Sequence, residues 1–359
     1  MTHDPFAPRP RTPDLPPPAP LDGRRPRILA HVLRYFDWHR GGAERMLHSL
    51  LRGLADRGWD VEAVTVEHRG RRDYVHDGVH VQVLGDGQMA EPYAWCDVAL
   101  THLDVTSHAM AWARYGRPLL HVVHNHRQLL HHRVLDDRRN FPIWNSEWIR
   151  QEWAIWSGPS VVCRPPLHVT PAPRRPRADG PRRRTATLVN LLGEKGGPLF
   201  WRLARRLADW QFVGVEGAYG YQHHPDPMPP NGTIVANGLD LGDVWRRTGV
   251  MLVPSWYESW SLAGVEALAH GIPVIAHPTP GLVESMGDAA IFRDRDDDDA
   301  WVDALRSLED PAAWWERSRA ALDRARVLAA TTADDLDAFD AFARALAQAG
   351  QRTAHVPLR

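Results

Sequence analysis

The chain has 359 residues, which is long enough for two domains that each bury a sizeable core. Its formal net charge of −1 gives no broad basic surface, so nucleic acid is not an expected partner. Its two cysteines, Cys96 and Cys163, cannot build a disulfide framework and lack metal-ligand spacing, so we expect free thiols in a reducing cytoplasm.

Residues 1–25 are rich in proline and arginine and contain no apolar core. This composition predicts a disordered tail, and it fits neither a signal peptide nor a folded segment. No apolar run elsewhere approaches the roughly 20 residues that a membrane span requires. The first predicted domain therefore begins at residue 26 and extends to residue 165.

That domain opens with a predicted strand at 27–33, a helix at 43–57 with one apolar face, and a strand at 61–66. Gly41 and Gly42 precede the helix, where they let a ligand approach the backbone and leave amides available to an anion. The chain has no G-x-G-x-x-G motif, so a dinucleotide fingerprint is not supported.

Apolar runs predict further strands at 79–84, 98–101 and 119–123, and the last of these leads into His124-Asn125-His126. Residues two apart on a strand share a face, so His124 and His126 can both point toward a cleft. A metal site is the alternative for this region, but no carboxylate or cysteine completes a ligand spacing, and we expect no metal. The histidines considered for it are His121, His124, His126, His131 and His132.

Residues 166–184 are rich in proline and arginine, which suits a connector between two domains. Its arginines allow weak contact with an anionic membrane surface, but a solvated linker is the favoured interpretation. They are Arg174, Arg175, Arg177, Arg182, Arg183 and Arg184.

The second predicted domain, residues 185–330, begins with a strand at 185–191 and a helix at 198–208. Lys195 lies between them in a glycine-bearing loop at the helix start, where it can neutralise a diphosphate. Strands at 212–215 and 233–235 and a short helix at 240–248 continue the pattern.

A third strand-helix-strand unit occupies residues 249–276, with strands at 250–253 and 274–276. Ser259 or Ser261 can cap the helix predicted at 261–270, and Gly271 ends it. In a sheet of this kind, ligands bind at the carboxyl ends of the strands, where the loop between 253 and 261 lies.

The helix at 261–270 is apolar all round, and Glu266 is its only ionisable residue before His270. A carboxylate in such a place is costly unless a partner binds it. Glu258 lies at the mouth of the same helix, and the amides around residues 260–264 attract phosphate. Because ionised carboxylates accept hydrogen bonds from hydroxyls, the ligand indicated carries both phosphate and sugar hydroxyls.

Pro254-Ser255, Glu258, Glu266-Ala267 and Gly271-Ile272-Pro273-Val274 resemble the E-x7-E signature of family 4 glycosyltransferases, retaining enzymes of the GT-B fold. The resemblance implies an α/β protein with two Rossmann-like, doubly wound domains that face a cleft. It also implies that Glu258 contacts the donor sugar and that Glu266 binds the ribose of the nucleotide.

The resemblance extends to other segments. It implies that Gly41 and Gly42 contact the donor phosphate or sugar and that His124 lies close to the donor sugar and the acceptor. Lys195 corresponds to the lysine that binds the donor diphosphate. Asn190, however, stands where many members carry an arginine, so half of the usual positive clamp is missing.

Two later segments of the chain also need an interpretation. The run Thr279 to Glu284, which includes Gly281, resembles a loop that approaches the donor. The acidic run at 293–299 is read as charge that favours a helix start, in preference to a metal site. Helices are predicted at 311–330 and 332–349, and the resemblance implies that residues 331–359 cross back to the first domain.

The function that these residues and the resemblance together lead us to expect is transfer of a glycosyl group from a nucleotide diphosphate sugar to an acceptor hydroxyl with no required cofactor, and the resemblance implies retained configuration. The first domain is expected to bind the acceptor, a glycan, lipid or small molecule. A cytoplasmic protein is expected, with weak peripheral membrane contact as a possibility. The alternatives are a non-catalytic nucleotide-sugar or glycan-binding protein, an epimerase and an inverting transferase of the same fold. The candidate catalytic residues are Lys195, Glu258 and His124, and the candidate donor-binding residues are Gly41, Gly42, Lys195, Glu258, Ser259, Trp260, Ser261, Leu262, Glu266 and Gly281.

Overall fold

Two β-sheets, one in each half of the chain, carry helices on their faces. They confirm the predicted α/β architecture with two parallel-sheet domains. The computed structural model describes residues 21, 23–36, 41–67, 70, 72–85, 88–103, 109–110, 112, 117–125, 140–167, 169–172, 184–238 and 241–353. The predictions for the tail at 1–20, for His126, His131 and His132, and for most of the arginine-rich connector lie outside these residues.

The first sheet has eight strands in the order β3-β4-β2-β1-β5-β6-β7-β8, and every neighbouring pair is parallel except β3 with β4. Its strands are β1 (Arg27–Val32), β2 (Asp60–Thr65), β3 (Tyr74–His76), β4 (Val79–Val83), β5 (Val98–His102), β6 (Leu119–Val123), β7 (Asn140–Trp144) and β8 (Val161–Val162). The helices of this half are α1 (Gly42–Ala55), α2 (Ala90–Trp95) and α3 (Glu147–Glu152).

The second sheet has six strands in the order β11-β10-β9-β12-β13-β14, all parallel. They are β9 (Thr185–Val189), β10 (Gln211–Val215), β11 (Gly232–Val235), β12 (Val250–Val253), β13 (Val274–Ala276) and β14 (Ala290–Phe292). The helices around this sheet are α4 (Gly197–Arg206), α5 (Gly242–Arg247), α6 (Leu262–Ala269), α7 (Pro280–Met286) and α8 (Asp298–Ser307).

Because several strands are apolar and buried, the sequence predicts their positions in the chain. All residues of β6, β12 and β13 are buried, as parallel strands covered on both faces require.

Cys96 and Cys163 are free thiols buried in the first half, and burial raises the pKa of Cys96 to about 12. Both thiols therefore remain protonated and unreactive at neutral pH.

One continuous helix, α9 (Pro311–Thr353), replaces the two helices predicted at 311–330 and 332–349. The adjacent Thr331 and Thr332 suggest a break, but their hydroxyls donate to the carbonyls of Val327 and Leu328 one turn earlier and leave the helix intact. Trp314 lies in the core of the second half, whereas Phe339, Ala343 and Leu346 lie in the core of the first. Among the described helices, including this one of 43 residues, none combines the length and apolar character that crossing a bilayer requires.

Several short elements were not predicted. The strands β3 and β8 have three and two residues and lie at the edges of the first sheet, where they are too short to show a period. The run Thr279 to Glu284 was predicted as a loop, but Pro280 begins α7 and the Thr279 side chain caps it. The connector also packs more closely than a solvated linker, because Leu167 and Val169 contact the core of the second half.

Candidate active site at the domain interface

The carboxyl ends of the parallel strands carry loops from both halves of the chain to one interface. Arg45 of α1 forms an ion pair with Glu266 of α6, and Asn145, which follows β7, donates to the hydroxyl of Ser259. The interface therefore joins the first domain to the strand-helix-strand unit at residues 249–276.

Lys195 and Glu258 form the central ion pair on the second-domain side. Lys195 Nζ lies 2.7 Å from Glu258 Oε2, and the two side chains are 17% and 18% exposed. The same ammonium also donates to the Tyr257 carbonyl at 3.4 Å, and the Ser255 hydroxyl donates to Glu258 Oε2 at 3.4 Å. Lys195 and Glu258 lie 63 residues apart in the chain, and both were predicted to bind the donor. In the structure they are in direct contact.

The environment keeps Lys195 charged. Burial by itself lowers the pKa of Lys195, but the adjacent Glu258 carboxylate, with smaller contributions from Tyr219 and Glu194, raises the pKa above its ordinary value. The ammonium is therefore fully protonated at neutral pH, which is the form that can bind a diphosphate.

Two glycines fix the loop that carries Lys195. Gly196 has a φ of +94°, and a Cβ there would lie 2.3 Å from Pro254 Cγ. A Cβ on Gly197 would lie 2.3 Å from the Leu191 carbonyl oxygen. Because neither position has room for a side chain, the loop packs against the end of β12 and holds Lys195 beside Glu258.

Glu266 is buried in α6 and only 5% exposed, as its apolar surroundings predicted. Its partner is Arg45, whose Nη1 lies 2.6 Å from Glu266 Oε1. Burial raises the pKa of Glu266, and the attraction of Arg45 offsets this only in part. The predicted ribose ligand is therefore not the only group that can pair with this carboxylate, since the first domain supplies a cation itself.

The start of α6 has an unusual backbone. Ser261 is the N-cap with a φ of +70°, in the left-handed region, and its hydroxyl accepts from the Gly264 amide. Glycine adopts this conformation without strain, so a serine at this position is unusual. Serine is accommodated because its side chain caps the helix.

Gly281 supports this loop through backbone contact. A Cβ there would lie 2.4 Å from the Glu258 carbonyl oxygen and 2.5 Å from the Ser259 carbonyl carbon. The Thr279 hydroxyl donates to the same Glu258 carbonyl at 3.2 Å. The start of α7 thus braces the segment that presents Glu258 and Ser259.

We expect Gly281→Ala to destabilise the fold by about 1–3 kcal/mol, because the added methyl forces the backbone of residues 258–259 to move. Urea unfolding measures this change. The matched control is Gly193→Ala, since no heavy atom lies within 4 Å of a Cβ at that glycine. Equal unfolding midpoints for the two variants would show that α7 does not brace the loop.

His124 lies just beyond β6 and contacts a second histidine, with its Nε2 3.1 Å from His102 Nδ1. Asn145 donates to the His124 carbonyl at 3.2 Å and to Ser259 at 2.8 Å. One residue thus links the backbone of the predicted catalytic histidine to the second domain. His121, from the same predicted set, is fully buried within β6.

Gly41 and Gly42 begin α1 as predicted, with Gly41 as the N-cap. A Cβ on Gly42 would lie 3.8 Å from Leu262 Cδ1, so the glycine faces the start of α6 across the interface. The two helix starts that were predicted to contact the donor therefore lie opposite each other.

Asn190 does not restore the missing positive charge. It adopts a left-handed φ of +76°, and its side-chain oxygen accepts from the Leu192 amide at 3.2 Å. The side chain also fills the space beside Gly217, where a Cβ would lie 2.4 Å from its oxygen. Its role is to shape the loop before Lys195.

The two tryptophans that flank Glu258 have different environments. Trp260 is buried in the core beside α6, whereas Trp256 is 54% exposed. The Trp256 ring stacks on His277 at 6.0 Å, and the Arg295 guanidinium lies 5.8 Å from its centroid. Trp260 therefore belongs to the hydrophobic core, whereas the ring of Trp256 is accessible from solvent.

Glu284 makes a further contact between the halves. Its carboxylate accepts from the amides of Glu147 and Trp148, at 2.9 and 2.8 Å, at the start of α3. Arg164 lies 3.3 Å from the same carboxylate and 3.0 Å from Asp335 of α9. The segment predicted to approach the donor therefore also joins the two domains.

Sequence reasoning missed Arg45, Asn145 and Glu284 as interface residues, because their partners lie more than 100 residues away in the chain. One signal was available for Lys195. It is the single lysine among 43 basic residues, so arginine fills every other basic position. A site that uses a compact ammonium in an otherwise arginine-based protein is a candidate for a specific role.

Comparisons with known proteins bear on this site. Residues 203–310 match the family model described as "Glycosyl transferases group 1". A D-inositol 3-phosphate glycosyltransferase of Corynebacterium glutamicum (strain R) is 37% identical over 87 residues, which are 24% of this chain and 19% of that protein. The chain thus spans about a fifth of the length of that curated relative.

Similarity to solved structures covers much more of the chain. A sucrose-phosphate synthase from Thermosynechococcus elongatus superposes with a TM-score of 0.65 and 17% identity, over 92% of this chain and 99% of that one. Alr3699/HepE of Anabaena, in complex with UDP-glucose, gives a TM-score of 0.62 and 13% identity over 91% and 98%. The protein has the GT-B fold, as predicted.

Proposed function

We propose that the protein is a glycosyltransferase that moves a sugar from a nucleotide diphosphate sugar to an acceptor hydroxyl. The observation that carries this proposal is the pairing of Lys195 with Glu258 beside the buried Glu266, at an interface between two parallel-sheet domains. The match of residues 203–310 to a glycosyltransferase family model supports it, because those residues contain Glu258 and Glu266.

In this proposal Lys195 exchanges its contact with Glu258 for the donor diphosphate. The ammonium is held by one ion pair and one long hydrogen bond, and a diphosphate can replace both contacts. Once it binds the diphosphate, its charge stabilises the negative charge that grows on the leaving phosphate. Preorganised charges of this kind are usually the largest contribution to catalysis.

The start of α6 supplies the second group of donors in the proposal. The first amides of a helix have no partner within it, and the hydroxyl of Ser261 accepts from that of Gly264. The amides of Leu262 and Ala263 are the ones we assign to phosphate. Glu258, freed from Lys195, would accept from sugar hydroxyls, and Glu266 from the ribose.

We further propose that the reaction proceeds with retention and needs no side-chain nucleophile. The support is the resemblance of Glu258 and Glu266 to the signature of retaining enzymes. His124 is assigned a place close to the reacting sugar, and its contact with His102 holds its ring. We assign acceptor binding to the first domain, residues 26–165, and donor binding to residues 185–330.

The second candidate is a nucleotide-sugar-binding protein without transfer activity. Asn190 favours it, because this residue leaves Lys195 without the second cation that many related enzymes carry and instead shapes the loop. In that case nucleotide diphosphate sugars would bind without being hydrolysed or transferred.

A panel of nucleotide diphosphate sugars tests the proposal, beginning with UDP-glucose, the ligand in the Anabaena structure. We expect one donor to raise the melting temperature, since it binds only the folded state, and to be hydrolysed slowly without an acceptor. An NMR spectrum of the transferred sugar then reports its anomeric configuration. Binding without turnover across the panel would favour the second candidate, an inverted product would refute retention, and no binding at all would refute both.

A further inference from the structure

Outside the proposed donor site, three side chains of the first domain converge on one point. They are His48 on α1, and His76 and Asp77 at the end of β3. One nitrogen or oxygen from each lies within 4.8 Å of the others. His48 Nε2 is 3.3 Å from Asp77 Oδ2, and His76 Nε2 is 4.0 Å from the same oxygen. Two imidazoles and a carboxylate are a donor set that transition metals favour.

A second contact orients the buried histidine. The hydroxyl of Tyr35 lies 2.8 Å from His48 Nδ1, which directs Nε2 of that ring toward Asp77. The phenol oxygen of Tyr35 can accept a hydrogen bond from Nδ1–H of His48. Metal-bound histidines usually donate their other ring nitrogen in this way.

His76 gives an independent indication of a ligand. Its Nε2 is buried and has no hydrogen-bond partner among the residues that the structure describes. Buried polar atoms are rarely left without a partner, so an atom of this kind points to a group that binds there. The nitrogen lies on the side of the ring that faces Asp77.

The spacing suits a small tetrahedral cation. Zinc binds nitrogen and oxygen at roughly 2.0–2.2 Å, which places neighbouring donors about 3.4 Å apart. The pair His48 and Asp77 already meets this distance. His76 Nε2, now 4.0 Å from Asp77 Oδ2, has to approach that oxygen by about 0.6 Å, and the Asp77 side chain, which is 68% exposed, has room to move.

The surroundings decide which cation fits. The cluster lines a cavity of about 650 Å³ between α1, the connector and α9, and Arg45, Arg52 and Arg57 line it too. Each of these arginines has a carboxylate partner: Arg45 pairs with Glu266, Arg52 with Asp56 and Arg57 with Asp337. The donor set itself, one carboxylate and two imidazoles, disfavours calcium and magnesium, which need several oxygen ligands, and favours a cation held strongly by imidazole.

We propose that His48, His76 and Asp77 form a binding site for a zinc-like divalent cation, with the remaining coordination position open to the cavity. The cation ties α1 to the β3–β4 edge of the first sheet, and its open position can bind an oxygen ligand in the cavity. This proposal does not depend on glycosyl transfer.

Cobalt is the probe for the test, because its visible absorption reports tetrahedral coordination. The untagged full chain, treated with a chelator and dialysed, is titrated with Co²⁺ and then with Zn²⁺. We expect one Co²⁺ per chain with a visible band, displacement by Zn²⁺, and a higher melting temperature with either metal. Absence of the band would overturn the proposal.

Variants locate the site among the 20 histidines of the chain. We expect His76→Gln and Asp77→Asn each to weaken Co²⁺ binding at least tenfold, whereas Tyr35→Phe weakens it less. The matched control is His80→Gln, since His80 lies exposed on the neighbouring strand β4. Circular dichroism of the metal-free variants checks their folding. A band retained in His76→Gln, or lost equally in His80→Gln, would contradict the assignment.

Discussion

Lys195→Ala is expected to lower the turnover of the donor about 10²- to 10³-fold, the loss typical of removing one preorganised charge-stabilising group. The reason is that Lys195 is the cation beside Glu258 and the only lysine available to the diphosphate. Initial rates of donor hydrolysis or transfer measure the effect. The matched control is Arg205→Ala, which removes an exposed positive charge from α4 in the same domain.

The same substitution also removes the partner of a partly buried carboxylate. Leaving Glu258 without its cation is expected to cost about 1–3 kcal/mol, so rates have to be compared below the melting temperature of the variant. The double variant Lys195→Ala/Glu258→Gln should recover most of this stability and none of the turnover. A single variant that keeps the wild-type rate constant would remove Lys195 from the proposed mechanism.

Glu266→Gln is expected to weaken nucleotide diphosphate sugar binding roughly 10- to 100-fold, which corresponds to one hydrogen bond with a charged group. Isothermal titration calorimetry measures the dissociation constant of the donor for the variant and for the wild type. Arg45→Gln is the companion variant, because it removes the partner of Glu266 and leaves the carboxylate in place. If the donor ribose displaces Arg45, this variant should bind the donor at least as tightly as the wild type.

The stability of the ligand-free protein should depend on pH through Glu266. Burial raises the pKa of Glu266 above its ordinary value of 4.5, so the folded state holds its proton to higher pH than the unfolded state does. The contribution of this group to stability therefore falls as the pH rises from 4.5 through the raised pKa. Melting temperatures of Glu266→Gln should fall less over that range than those of the wild type. Unchanged donor binding together with an unchanged pH profile would contradict the assignment of Glu266.

Much of the fold could be predicted because its strands are apolar on both faces and end at clear signals. The limits of β6, β12 and β13 coincide with the predicted ones, and Pro254 follows β12 directly. The burial of Glu266 followed from the apolar residues of its own helix. These features depend on neighbours in sequence, and a single chain displays them.

Features that depend on distant partners could not be predicted. The pairing of Arg45 with Glu266 joins two residues in different domains, and nothing local to either residue indicates the other. The same holds for Glu284, whose carboxylate caps a helix of the opposite domain. The histidines that converge with Asp77 escaped notice for this reason too, because α1 and the short β3 meet only in the folded sheet.

A protein with one lysine has one side chain that amine-selective reagents can modify. That amine is protonated and shielded by Glu258, so acylating reagents will reach it slowly at neutral pH. Among the side chains, reagents directed at primary amines will therefore leave the 42 arginines untouched and modify only Lys195, whereas the α-amino group of the chain, with an ordinary pKa of about 8, will react faster. Lys195 is thus the one side chain at which amine labelling reports on the place where we assign the chemistry of the protein.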